Sequence, residues 1–60
     1  MPIVDITLLE GRSDEKKKAM MTAVTDAIET SLDAPRDSIR IILREVPAKH
    51  FAVAGKTKDG

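Results

Sequence analysis

The sequence contains no cysteine, no tryptophan and no tyrosine, and only one histidine and one phenylalanine. Without cysteine there is no disulfide to brace a small fold and no thiol nucleophile. His50 has no cysteine or second histidine to join it, so a structural zinc is not expected. Charge of either sign is not in surplus: Lys plus Arg and Asp plus Glu each number 10, giving a formal net charge of zero. That balance argues against a nucleic-acid binder, which carries a basic stripe. The nearest approach to one, Lys16-Lys17-Lys18, directly follows acidic Asp14 and Glu15 and reads as a solvated helix face. No apolar run approaches the ~18 residues of a membrane span. No charged segment leads into an apolar stretch of secretory type. The expectation is a cytoplasmic protein with neither nucleic acid nor membrane as partner. There is no glycine-rich phosphate loop and no metal-ligand cluster, so no cofactor and no metal are expected. Ser13, Ser31 and Ser38 have a single histidine to serve as base. His50 itself reads as an exposed loop residue.

What is present is one domain, residues 1–60. A chain this short buries only about 60% of the surface it exposes when unfolded. Its core supplies roughly 3–5 kcal/mol, so a partner subunit is the remaining source of stability. Pro2 to Leu9 reads as a strand, with β-branched Ile3, Val4, Ile6 and Thr7. Alternation sets Val4, Ile6 and Leu8 on one face and Ile3, Asp5, Thr7 and Leu9 on the other. Glu10-Gly11-Arg12 is a turn. Ser13 is a helix N-cap, with Asp14 and Glu15 where the helix dipole favours negative charge. The helix runs to about Leu32, with Met20, Val24, Ala27, Ile28, Ser31 and Leu32 as its apolar stripe. Pro35, which cannot continue the hydrogen-bond ladder, ends it.

Ser38 to Val46 reads as a second strand, with Ile39, Ile41 and Leu43 on one face and Arg40, Ile42, Arg44 and Val46 on the other. Pro47 stops it. The tail from Ala48 is loop-like, with a short apolar piece at Phe51-Ala52-Val53-Ala54 and a turn at Gly55. The fold class expected is α/β: a βαβ unit with two parallel strands, a right-handed crossover through one long helix, and a short C-terminal strand or hairpin. The helix covers one sheet face. The other, carrying Ile3, Leu9, Ile42 and Val46, stays bare, and parallel sheets are normally covered on both sides. An obligate oligomer is therefore expected. Arg40 lies on that bare face, where an unpaired cation is costly. Two readings are open for it: pairing with Asp5 or Glu45 across the sheet, or meeting an anionic ligand.

The N-terminus offers further chemistry. Met1 precedes small, rigid Pro2, a setting in which the initiator methionine is removed, leaving a free secondary amine. Such an amine serves as general acid or base when its pKa lies near the working pH. Apolar surroundings and nearby arginine both lower it, and two units of depression correspond to about 2.7 kcal/mol.

Pro2-Ile3 with "LLEGRSDEKK", then "SLDAPRDSIRIIL", then "HFAVAGK", resembles the 4-oxalocrotonate tautomerase family over nearly the whole chain. The resemblance implies an enol–keto tautomerase, an isomerase acting on an unsaturated 2-oxo or 2-hydroxy (di)acid such as 2-hydroxymuconate, in aromatic catabolism. It implies a hexamer built as a trimer of dimers. It also implies that Pro2 is the catalytic base, that Arg12 holds a distal carboxylate, and that Arg40, from a neighbouring subunit, binds the near carboxylate and polarises the 2-oxygen. Phe51 corresponds to an apolar wall, Leu9 to a pocket residue and Ser38 to a position near the amine. Dehalogenase relatives carry an extra loop arginine and an acidic residue past the aromatic. Here Leu9 and Ala52-Val53 fill those regions, so haloacrylate hydration is not expected. Decarboxylase relatives carry aspartate where this chain has Ser38, although Asp37 is adjacent. Alternatives left open are a tautomerase of phenylpyruvate-like mono-acids, a non-catalytic assembly module, and a mixed rather than uniform hexamer.

Overall fold

The computed structural model describes residues 1–59. Strand β1 spans Ile3–Leu9, helix α1 Asp14–Leu32 and strand β2 Arg40–Val46; a terminal hairpin pairs β3, Ala52–Val53, with β4, Lys56–Thr57. Single 3-10 turns, Arg36–Ser38 and Ala48–His50, introduce β2 and the hairpin. β1 and β2 are parallel, with Ile3 opposite Arg40 and Leu9 opposite Val46. The expected α/β unit is thus the observed one, and the short apolar tail segment forms an antiparallel hairpin.

Local chemistry explains the boundaries. Gly11 turns the chain after β1 at φ 128°, a region that favours glycine. Ser13 caps α1, its side chain accepting from the Lys16 N–H at 3.2 Å. Asp33 closes the helix in the left-handed region at φ 54°. The second strand begins two residues later than its β-propensity suggests. The Ser38 N–H and hydroxyl both donate to the Pro35 carbonyl, at 2.9 and 2.7 Å, and hold Ser38 in the turn.

The two sheet faces differ as alternation predicts. Val4, Ile6, Leu8, Ile41 and Leu43 are half-buried, while Ile3, Asp5, Thr7, Arg40, Ile42 and Arg44 are exposed. The helix stripe is narrower than expected. Met20, Met21, Val24 and Ile28 are half-buried, whereas Ala27, Ser31 and Leu32 remain exposed, Leu32 by 64%. A two-stranded sheet is too narrow to cover a broad helical stripe.

The single chain has a thin core. Ile39 is the one buried apolar residue among those described. The protomer exposes 4608 Å², against about 3,900 Å² for a compact chain of this mass. Its radius of gyration is 14.4 Å, against about 10.4 Å for a compact 60-residue domain. Among the described residues, no helix is long and apolar enough to cross a membrane.

Candidate active site

Five of the six residues singled out from the sequence lie at the two ends of the sheet, and Phe51 lies beyond it, just before the hairpin. At the start of β1 and β2, the Arg40 main-chain N–H donates to the Pro2 carbonyl at 3.0 Å. Ser38 ends the turn two residues before Arg40. Pro2, Ser38 and Arg40 therefore share one end. At the other, the Glu10 N–H donates to the Val46 carbonyl at 3.0 Å and extends the pairing past Leu9. Gly11 then carries the chain to Arg12. Phe51 follows β2 by five residues. Its N–H donates to the Ala48 carbonyl at 3.2 Å, and its carbonyl accepts from the Lys58 N–H at 2.9 Å, so the tail folds back at that point. Seven strand steps at about 3.3 Å place Leu9 about 23 Å from Pro2. Within one chain, Pro2, Ser38 and the Arg40 main chain thus lie at the sheet end remote from Leu9 and Arg12.

The register bears on one of the two readings of Arg40, pairing with Asp5 or Glu45. Asp5 stands opposite Ile42, with Arg40 and Arg44 as its diagonal neighbours on the same face. Arg44 takes it, Nη2 to Oδ2 at 3.1 Å. Glu45 points to the helix face and accepts from Lys17 Nζ at 2.8 Å. Neither carboxylate considered as a partner for Arg40 is available to it. Arg40 Nη1 instead donates to the main-chain carbonyl of Asp37 at 2.6 Å.

This sorts the four arginines of the sequence. Arg44 pairs with Asp5, and Arg36 Nη1 bridges Asp26 Oδ1 at 2.7 Å and Glu29 Oε1 at 3.0 Å. Those carboxylates hold the Arg36 guanidinium above its ordinary pKa, Asp26 contributing first. Arg12 and Arg40 have no carboxylate partner among the described residues. An arginine fork without a carboxylate is equipped to take one from a ligand. The described residues of the single chain enclose no pocket. Sequence reasoning missed the Asp37 carbonyl as a holder of Arg40, since main-chain acceptors leave no residue-type signal. It also missed the Arg36 bridge, for which Asp26 and Glu29, three apart on a helix, were the visible sign.

Comparison with known proteins gives a consistent picture. Residues 2–59 match the family model described as tautomerase enzyme. The chain is 49% identical over 57 residues to a 2-hydroxymuconate tautomerase of Stutzerimonas stutzeri, covering 95% of this chain and 90% of that protein. Among solved structures it resembles a 4-oxalocrotonate tautomerase isozyme of Methylibium petroleiphilum, with a TM-score of 0.93 and 41% identity over 97% of this chain and 91% of that one. A heterohexamer 4-oxalocrotonate tautomerase of Chloroflexus aurantiacus matches with a TM-score of 0.94 and 37% identity, over 98% and 95% of the two chains.

Proposed function

The chain belongs to the tautomerase family, whose members are isomerases, and from that premise we propose that it interconverts the enol and keto forms of an unsaturated 2-oxo dicarboxylic acid, with 2-hydroxymuconate as the model substrate. The observation that carries this reading is the state of the arginines: of four, only Arg12 and Arg40 have no carboxylate partner among the described residues. A substrate with a carboxylate at each end would satisfy both.

In the proposed mechanism Met1, which is 76% exposed and so accessible to an aminopeptidase, is removed. The freed Pro2 nitrogen takes the proton of the substrate 2-hydroxyl and returns it to a carbon of the conjugated system. One base serves both transfers, so no cofactor takes part. The intermediate is a dienolate. Arg40 grips the adjoining carboxylate and stabilises the developing oxyanion. Arg12 fixes the far carboxylate by a bidentate contact. Phe51 and Leu9 supply an apolar wall that keeps the amine uncharged, and Ser38 lies beside it. Leu9 and Arg12 sit at the sheet end opposite Pro2, which supports a site built from more than one chain; we propose a hexamer arranged as a trimer of dimers, with Arg40 supplied by a neighbouring subunit. The cytoplasm is the compartment proposed for it.

The test is turnover of 2-hydroxymuconate by the assembled protein. Pro2→Ala is expected to lower kcat by about 10²–10⁴-fold, the contribution of one positioned acid–base group, with the oligomer mass unchanged. Undiminished turnover removes Pro2 from the mechanism. Arg12→Ala is expected to cripple turnover of the diacid and spare that of a mono-acid such as phenylenolpyruvate. Equal losses on both would reject the two-carboxylate reading.

A further inference from the structure

We infer that Arg36 is a positioning residue for Arg40, acting through the turn that joins α1 to β2; the inference rests on the role proposed above for Arg40. The far end of that turn is anchored by buried Ile39 and by the Arg40 N–H bond to the Pro2 carbonyl, whereas its near end leaves the helix with few anchors. Asp33 leaves the helix in the left-handed region, and Pro35 has no N–H to donate. Its internal bonds are those of Ser38 to the Pro35 carbonyl and of the Ile39 N–H to the Arg36 carbonyl at 3.2 Å. They close the turn on itself without fixing it to the helix. Among the described residues, the side-chain hydrogen bonds that tie the turn to the helix are those of Arg36, whose Nη1 reaches Asp26 and Glu29 on the last turns of α1, at 2.7 and 3.0 Å.

The next residue supplies the consequence. Between Arg36 and Ser38 lies Asp37, whose carbonyl accepts from Arg40 Nη1 at 2.6 Å. A continuous run of direct contacts thus leads from the helix, through the Arg36 side chain and one peptide unit, to the Arg40 guanidinium. Arginine carries high rotamer entropy on an exposed face. Held by Nη1, the Arg40 fork keeps its Nε–Nη2 edge for a bidentate contact with a carboxylate. Releasing Arg36 lets the Asp37 carbonyl move and loosens that edge, without removing any group that touches substrate.

The experiment compares Arg36→Met, Arg36→Lys and the pair Asp26→Ala with Glu29→Ala, each alone and combined with Arg40→Ala. The readouts are kcat and KM for 2-hydroxymuconate, with oligomer mass measured alongside. Arg36→Met is expected to lower kcat/KM roughly fivefold, mostly through KM, the scale that an exposed ion-pair network can transmit. Arg36→Lys should retain most of the activity, and the Asp26–Glu29 pair of changes should reproduce the loss. In the Arg40→Ala background the further effect of Arg36→Met should fall to less than about twofold, because the residues act as one unit. An undiminished effect in that background overturns the inference. So does a wild-type KM in Arg36→Met while Arg40→Ala is crippled. Unchanged turnover in Arg40→Ala would instead reject the proposed function itself. Should Arg36→Met not assemble, the Asp26–Glu29 variant put through the same cycle decides.

Discussion

Replacing Ile42 tests whether the bare sheet face is what holds the protein together. In one protomer Ile42 is 42% exposed and Ile3 56% exposed, on the face opposite the helix. Their combined exposure amounts to roughly one whole isoleucine side chain left in water, so covering both stabilises each protomer by about 1.5–3 kcal/mol. Ile42→Ala removes the Ile42 share, about 1 kcal/mol per protomer. That is about a fivefold rise in the dissociation constant for each protomer joined. Ile42→Asp goes further. It takes a charge into the covered face and sets it directly opposite Asp5, the register partner of residue 42. Multi-angle light scattering across a dilution series, with circular dichroism on the same samples, is the assay. The wild type should run as a multiple of the 6.6 kDa chain. Ile42→Ala should dissociate at higher concentration than the wild type. Ile42→Asp should run as a single chain with collapsed helicity, since one protomer has no fully buried side chain among its described residues. Wild-type mass and an unshifted thermal midpoint for Ile42→Asp would refute the argument.

Two further predictions concern stability. The hairpin turn places Ala54 at φ 52° and Gly55 at φ 80°, the two positive angles of a type I′ turn. Ala54→Asn should relieve about 1 kcal/mol of left-handed strain, read as severalfold slower hydrogen exchange of the β3–β4 amides. Lys17 hydrogen-bonds Glu45 and pairs with Asp14, and these contacts raise its pKa above the ordinary 10.5, Glu45 foremost. A raised folded-state pKa means that the contribution is complete below 10.5 and fades as pH climbs through the folded value. The urea midpoint of the wild type should therefore exceed that of Lys17→Met at pH 8, and the gap should narrow in strongly alkaline solution. A gap that stays constant with pH would count against the pairing.

The sequence by itself determined the elements and their faces. Ser13 with Asp14 and Glu15 marks the helix start, and Pro35 bars its continuation. Alternation in Ile3–Leu9 and Arg40–Val46 assigns every residue to the helix side or the bare side, because side-chain direction in a strand has period two. The residues proposed for the site were legible as well, through the resemblance of whole segments. What only the tertiary structure decided is which of several eligible partners each charge takes. The register sets Arg40 and Arg44 as diagonal neighbours of Asp5, and the fold gives it to Arg44. Glu45, left open by the sequence as a partner for Arg40, is taken by Lys17 in the fold. Ser38 favours a strand by position, yet the Pro35 carbonyl keeps it in a turn. Arg36 meets Asp26 and Glu29 only because the chain reverses at Asp33. Periodicity and caps are local and act within a few residues. Choices among near-equal partners depend on register and on the angle of chain reversal, which sum many weak contacts between segments far apart in sequence.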